Sequence, residues 1–339
     1  MAMQQLYGDW DESYNELQSW ISAMVKYVPG TVVDLQTLPY RGSNGELELG
    51  KRVFRRLFWT FDLCVRAFSH CKPILLIVVA QDGNGNVLPI TFSIVESENS
   101  ESWAYFIRNL RRHVVRQDNI CIISDRSKSF VAAIRQLEVP WRSVYCIRHI
   151  ALNFHDEYKN KDWRKRIVNM GYELEPHQFR HKLARLETNM AGCKPSLTQW
   201  LSSMEPWQWA QCFDERYRYG HMTTNLVEVV NSVLRQYISR RGSRHGLMEL
   251  ISETGGVSAR CSKHYGNRRC ECRMFQALRY PCTHMIAACA TYSLNAEQYI
   301  DDVYTLERML RIWGNELPVL RDISTWEVQS PAFEMLPDM

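Results

Sequence analysis

The turn Asp82-Gly83-Asn84-Gly85-Asn86 does most to limit what this chain can fold into. Ahead of it runs the apolar stretch Ile74-Leu75-Leu76-Ile77-Val78-Val79-Ala80, and behind it the β-rich stretch Val87 to Val95. Glycine and asparagine accept the positive φ that tight hairpin turns need, so the two runs predict a β-hairpin. A helical pattern follows, with Trp103, Phe106, Ile107, Leu110 and Val114 on one face and Arg108, Arg111 and Arg112 between them. Ser100 or Ser102 is placed to cap its start. Asn119-Ile-Cys-Ile-Ile-Ser-Asp125 then reads as a short buried strand that ends on a carboxylate. A second helix carries Phe130, Ile134 and Leu137, and Ser143 to His149 predicts another strand or strand end. Hairpin, helix, strand, helix, strand is an α/β (α+β) layout. Open α/β sheets place chemistry at the C-terminal ends of their strands, which is where Asp125 falls.

The segments LLIVVAQDGNGNVLPITFSIVESE, SWAYFIRNL, ICIISDRSKSF, YCIRHIALNF and RYGHMTTNLVEVVNSVL occur in that order, from about residue 50 to 250. In content and order they resemble the transposase domain of plant Mutator-like elements (MULE). The resemblance implies a ribonuclease-H-like fold and an Asp-Asp-Glu set that holds two divalent ions, Mg2+ or Mn2+, for cutting and joining DNA. Asp125 falls on the second Asp of that set, and Glu228, in TTNLVEVVN, on the Glu. In the family, a strand carrying an Asp-Gly-Thr-type sequence precedes the LLI strand. Here Cys71-Lys72-Pro73 runs straight into Ile74, so the segment with the first Asp is absent. In ribonuclease-H-like sheets that strand lies centrally, between the hairpin and the Asp125 strand. Its loss leaves unpaired strand edges, and Ile74–Ala80 is expected to slide over and pair with Asn119–Ser124. The motif Cys146-x-x-His149 also matches the family. With no further ligands nearby in sequence, a buried thiol and a hydrogen-bonded histidine is the plainer reading than a metal pair.

Composition bounds the rest. A net charge of +4 over 339 residues is a weak electrostatic argument for nucleic acid. The 11 cysteines are mostly scattered singly, and the polar, acidic start MAMQQLYGDWDESYN fits neither a signal nor a transit peptide. Together these argue for a reducing, intracellular compartment. No apolar run approaches the ~20 residues that a membrane helix needs. The expected location, from the resemblance, is the nucleus.

Along the chain, Tyr14, Leu17, Trp20, Ile21, Met24 and Val25 form an amphipathic pattern that Asp11 could cap and Pro29-Gly30 ends. Thr31 to Leu35 reads as a strand. Lys51 to Phe68 reads as a helix, with Phe54, Leu57, Phe58, Phe61, Val65 and Phe68 apolar and Arg52, Arg55 and Arg56 on a solvated face rather than on DNA. Leu152 to Tyr219 is helical and rich in tryptophan, which is more often core than base-stacking surface. Met222 to Tyr237 predicts the helix of Glu228, where the dipole favours a carboxylate with or without catalysis. Residues 240–256 read as a shortened linker, and Leu306–Trp313 as a tail helix followed by a proline-rich extended end. The expected organisation is an N-terminal helical region over 1–70 and a degenerate transposase domain over 71–250, with a helical insertion at about 155–220. A zinc module over 257–295 and a tail over 296–339 complete it.

That module rests on RRCECRMFQALRYPCTHMIAACA, in which Cys270-x-Cys272 is followed by Cys282-x-His284. The spacing resembles the SWIM zinc finger found on the C-terminal side of MULE transposases and of their far-red-impaired-response relatives. Three thiolates and an imidazole close a tetrahedral Zn2+ site and leave no open position, so the metal is expected to be structural. Such binding is worth about 10–16 kcal/mol, enough to fold a small segment. Cys261, His264 and Cys289 stand nearby as spares, and Cys289 is expected to pack inside the helix His284–Tyr292.

Three functions fit. The favoured one is a transposase-derived zinc-binding protein that has lost cutting chemistry and acts through DNA binding or regulation. The alternatives are an active Asp-Asp-Glu DNA transposase, and a SWIM-centred protein or DNA interaction module. DNA and a second copy of the chain are the expected partners.

Overall fold

The computed structural model describes residues 10–75, 79–84, 86–224, 269–270, 272–291, 294–314 and 332–336. The chain opens with helix α1 (Trp10–Tyr27) and the long strands β1 (Val32–Arg41) and β2 (Leu47–Thr60). Helix α2 (Asp62–Phe68) leads into four short strands: β3 (Ile74–Leu75), β4 (Val79–Gln81), β5 (Val87–Pro89) and β6 (Phe92–Val95). Then come α3 (Ser100–His113), β7 (Cys121–Ser124), α4 (Lys128–Leu137) and β8 (Arg142–Tyr145). The helical block holds α5 (Ile147–Tyr158), α6 (Lys161–Gly171), α7 (Pro176–Asn189) and α8 (Leu197–Leu201). Late in the chain are α9 (Met274–Leu278), α10 (Thr283–Thr291), α11 (Leu306–Trp313) and β9 (Glu334–Leu336).

The fold is mixed α/β, as expected. β1, β2 and β6 form an antiparallel sheet, joined by β9 parallel to β2. β3, β7 and β8 are parallel, and β4 pairs with β5. Helices α3 and α4 cover one face, where Phe58, Leu75, Ile107, Leu110, Ile122 and Phe130 share a core. The helical block closes a second core around Phe154, Met170, Phe179 and Trp209. Its tryptophans therefore pack rather than face solvent, with Trp209 only 2% exposed.

The region from Lys51 departs from the expected helix. Residues up to Thr60 are strand, and helix begins only at Asp62. β2 lies between β1 and β6 and is covered on both sides. Phe58 packs on Phe106 with ring centroids 6.1 Å apart, while Leu57 faces α1 beside Leu17 and Ile21. A strand buried on both faces reads as a near-continuous apolar run, which imitates a helical period. Arg56 lies on no solvated helix face: it is 5% exposed, and its Nε donates to both Glu96 carboxylate oxygens at 3.0 and 2.9 Å.

The expected pairing of Ile74–Ala80 with Asn119–Ser124 is found at its first two residues. Ile74 pairs in parallel with Cys121, and Leu75 with Ile122. The pairing is only two residues long, however, and the predicted single strand Ile74–Ala80 is two strands. The Lys72 N–H donates to the Gln81 carbonyl at 2.9 Å, so the chain has folded back beside its own start. Val79 to Gln81 then pair with Val87 to Pro89 in the predicted hairpin. The outgoing run breaks at Ile90 and Thr91, and Phe92–Val95 transfers to β2. Asp82 therefore lies beyond the N-terminal end of the parallel strands, and Asp125 at their C-terminal end.

Two local expectations shift. The cap of α3 is Asn99, whose side chain accepts from the Ser102 N–H at 2.9 Å, rather than Ser100 or Ser102. The Ser143–His149 strand is β8 only to Tyr145, and Cys146 caps the helix on which His149 sits.

Candidate metal centre and the end of the Asp125 strand

Cys270, Cys272, Cys282 and His284 come together with their ligand atoms all within 4.8 Å of one another. Cys270 Sγ is 3.3 Å from Cys272 Sγ, and His284 Nδ1 is 3.9 Å from both Cys270 Sγ and Cys282 Sγ. Zinc with Zn–S of about 2.3 Å and Zn–N of about 2.0 Å has tetrahedral ligand edges of roughly 3.5–3.8 Å. The donor set fits that ion in type and in spacing, and it could hold zinc.

Local sequence builds the centre. The Arg273 N–H donates to the Cys270 carbonyl at 2.9 Å, with Arg273 in the left-handed region (φ 54°), so the first two ligands sit on one tight turn. Gln276 braces that turn from both sides: its Oε1 accepts from Cys270 N–H at 3.0 Å, and its Nε2 donates to the Cys270 carbonyl at 2.8 Å. Cys282 and His284 flank the start of α10, where the Ile286 N–H reaches the Cys282 carbonyl at 3.0 Å. Cys289 packs within α10 as expected, 1% exposed beside Phe275 and Met285. Burial and the neighbouring Cys282 thiol raise the Cys272 pKa above the usual thiol value, a crowding that a bound dication relieves. Cys261 and His264 lie outside the described residues.

Asp125 follows β7, half-buried, between strand and helix. Glu228 lies outside the described residues, as does the rest of its predicted helix after Thr224. The segment just before it is placed, however. The Ile147 N–H donates to the Met222 carbonyl at 2.8 Å, and the Thr224 N–H to Cys146 Sγ at 3.4 Å. The chain that leads toward Glu228 therefore runs past the C-terminal end of β8, the neighbour of β7.

Cys146 is fully buried. Burial pushes its thiol up, but hydrogen bonds from His149 and Thr224 outweigh that and bring it down to about 7. Cys146 precedes the first turn of α5, on which His149 sits. The Cys146 thiol ties the segment before Glu228 to the end of β8, a contact that spacing alone did not reveal.

Comparison with protein families matches residues 58–153 to the MULE transposase domain and residues 265–293 to the SWIM zinc finger. Comparison with curated proteins gave no match. Among the described residues, no helix is long and apolar enough to cross a membrane.

Proposed function

We propose that this chain is a transposase-derived zinc protein that has lost DNA-cutting chemistry and works in the nucleus through DNA binding or regulation. The observation that supports it most is the pairing of Ile74 and Leu75 with β7. On this reading the two apolar residues take the place beside the Asp125 strand that the resemblance assigns to the family's first carboxylate. Two-metal phosphoryl transfer needs carboxylates that hold both ions about 3.5–4 Å apart. Asp125 and Glu228 would be a remnant set, unable to bridge two ions by themselves. Asp82, at the opposite end of the parallel strands and hydrogen-bonded to Asn86 and Trp313, is no substitute. Zinc bound by Cys270, Cys272, Cys282 and His284 would be structural, holding the turn before α9 to the start of α10.

The test is cleavage of the terminal repeats of a related element with Mg2+ or Mn2+. No cleavage is expected from this chain, and cleavage is expected to appear when the missing strand is restored. Cleavage by the chain as it stands, abolished by Asp125→Asn, would overturn the proposal.

A further inference from the structure

Between the helical block and the metal centre lies a cleft of about 510 Å3, lined by Glu175, Asp214, Glu215, Arg216, Arg269 and Arg273 among others. A smaller cleft of about 340 Å3 adjoins it and shares Glu215 and Arg216, adding Arg279 and Asp301. Every carboxylate here has a cation. Glu175 takes Arg273, Asp301 lies 3.6 Å from Arg279, and Glu215 takes Arg142 at 2.8 Å. Asp214 lies 4.0 Å from the buried Arg218. Arg216 and Arg269 are left over: among the described residues neither has a carboxylate partner.

Their surplus is built in. Arg216 is held half-buried on a loop in which Glu215 (φ 52°), Arg216 (φ 71°) and Tyr219 (φ 47°) all take left-handed backbone. Non-glycine residues adopt that conformation only where the surroundings enforce it. The loop is pinned from within: Asp214 Oδ1 accepts from the Arg216 N–H at 2.9 Å, and Arg218 donates to the Tyr145 carbonyl at 3.2 Å. Arg279, stacked 4.3 Å over the Tyr219 ring, fixes the loop to the zinc segment. Arg216 thus faces Arg269 and Arg279, and burial together with those two like charges lowers its pKa. Such crowding of guanidinium groups is unfavourable until an anion joins them, and guanidinium matches phosphate oxygens in geometry.

We infer that Arg216 and Arg269 form a phosphate-binding seat for a nucleic-acid backbone, at the junction of the helical block and the zinc segment. The inference rests on the DNA-binding reading above and adds the place and the residues. A seat of this kind positions a strand and reads no bases.

The experiment uses the zinc-loaded full chain and a short random-sequence DNA duplex, with affinity followed against salt concentration. Each neutralised phosphate contact adds about 0.9 to the slope of log K against log salt. The double variant Arg216→Gln/Arg269→Gln is therefore expected to lower the slope by about 1.8 and each single variant by about 0.9. Arg108→Gln/Arg112→Gln, which removes the same charge from α3, is expected to leave it unchanged. If the parent binds DNA and the double variant keeps its slope, the seat is wrong while DNA binding stands. If the parent does not bind the duplex, both readings fall. A parallel titration with inorganic phosphate separates a free-anion site: thermal stabilisation of the parent but not of the double variant, with the DNA slope unchanged, overturns the nucleic-acid assignment. Should the Gln variants lose zinc, Arg216→Lys/Arg269→Lys retains both charges and is expected to keep the parent slope. A loss of slope in that folded variant overturns the inference.

Discussion

Leu75 lies opposite Ile122 in a parallel pair, and both side chains are fully sealed from solvent. One residue earlier, Ile74 and Cys121 pair on the other face, within a separate cluster that includes Val144 and Val303. The pairing of β3 with β7 thus rests on two residues, one on each face. Leu75→Ala is expected to cost about 3 kcal/mol by cavity formation. Leu38→Ala, at a 40% exposed position on β1, should stay near zero. Urea denaturation of the two variants checks the contrast.

Zinc content gives the second prediction. The purified chain should hold one zinc, and Cys272→Ser should lose most of it, since three ligands of a closed site cannot keep a structural ion. A Cys272→Ser protein with full zinc by metal analysis would remove Cys272 from the site.

Lys72 supports a pH prediction. It is 6% exposed, with its ammonium 3.1 Å from Gln81 Oε1 and 5.3 Å from the centre of the Tyr304 ring. Burial lowers its pKa from 10.5 to about 8, against a partly opposing pull from Asp82. A base whose folded pKa is lowered destabilises the fold in full below the folded value, and that penalty fades as pH rises toward the unfolded one. Lys72→Met should therefore stabilise the protein at pH 7 by up to about 3 kcal/mol, with the gap over wild type closing between about pH 8 and 10.5. Comparing the two proteins at each pH cancels the other titrating groups. A gap independent of pH would mean that packing, not charge, sets it.

Trp313 donates its indole N–H to Asp82 Oδ2 at 2.8 Å, and Asp82 is wholly buried. Trp313→Phe keeps most of the ring contact and deletes one hydrogen bond to a buried carboxylate. The expected cost is about 1.5–3 kcal/mol, read as a lowered Tm. No change in Tm would mean that Asn86 satisfies Asp82 by itself.

Legibility from sequence tracked how local each determinant is. The hairpin turn, the apolar faces of α3 and α4, the bounds of α11 and the Cys3His cluster were readable because residues a few positions apart decide them. β2 was misread because its two covered faces come from partners far away in the chain, α1 and α3. The fold-back that sets Gln81 beside Lys72 was also hidden. An uninterrupted run of Ile, Leu and Val gives no clue that its two ends pair with different strands, Ile74–Leu75 with β7 and Val79–Gln81 with β5. Arg216 and Arg269 read in sequence as unremarkable arginines, since their lack of a carboxylate partner among the described residues is a property of the assembled neighbourhood.

Gly83 has no room for a side chain: a Cβ there would stand 2.2 Å from the Val303 carbonyl oxygen. The segment that presses on it is the one following the metal ligands. Tyr304 donates its hydroxyl to the Leu278 carbonyl at the end of α9, Arg308 reaches the Ser69 carbonyl at 3.0 Å, and Trp313 ends on Asp82. The metal centre and the hairpin are therefore links of one mechanical chain, and stripping zinc should be felt at the far link. The amide of Asn86, which donates to Asp82 at 2.8 Å, is the natural reporter. Its hydrogen exchange should quicken when a chelator is added, although no metal ligand lies near it in sequence.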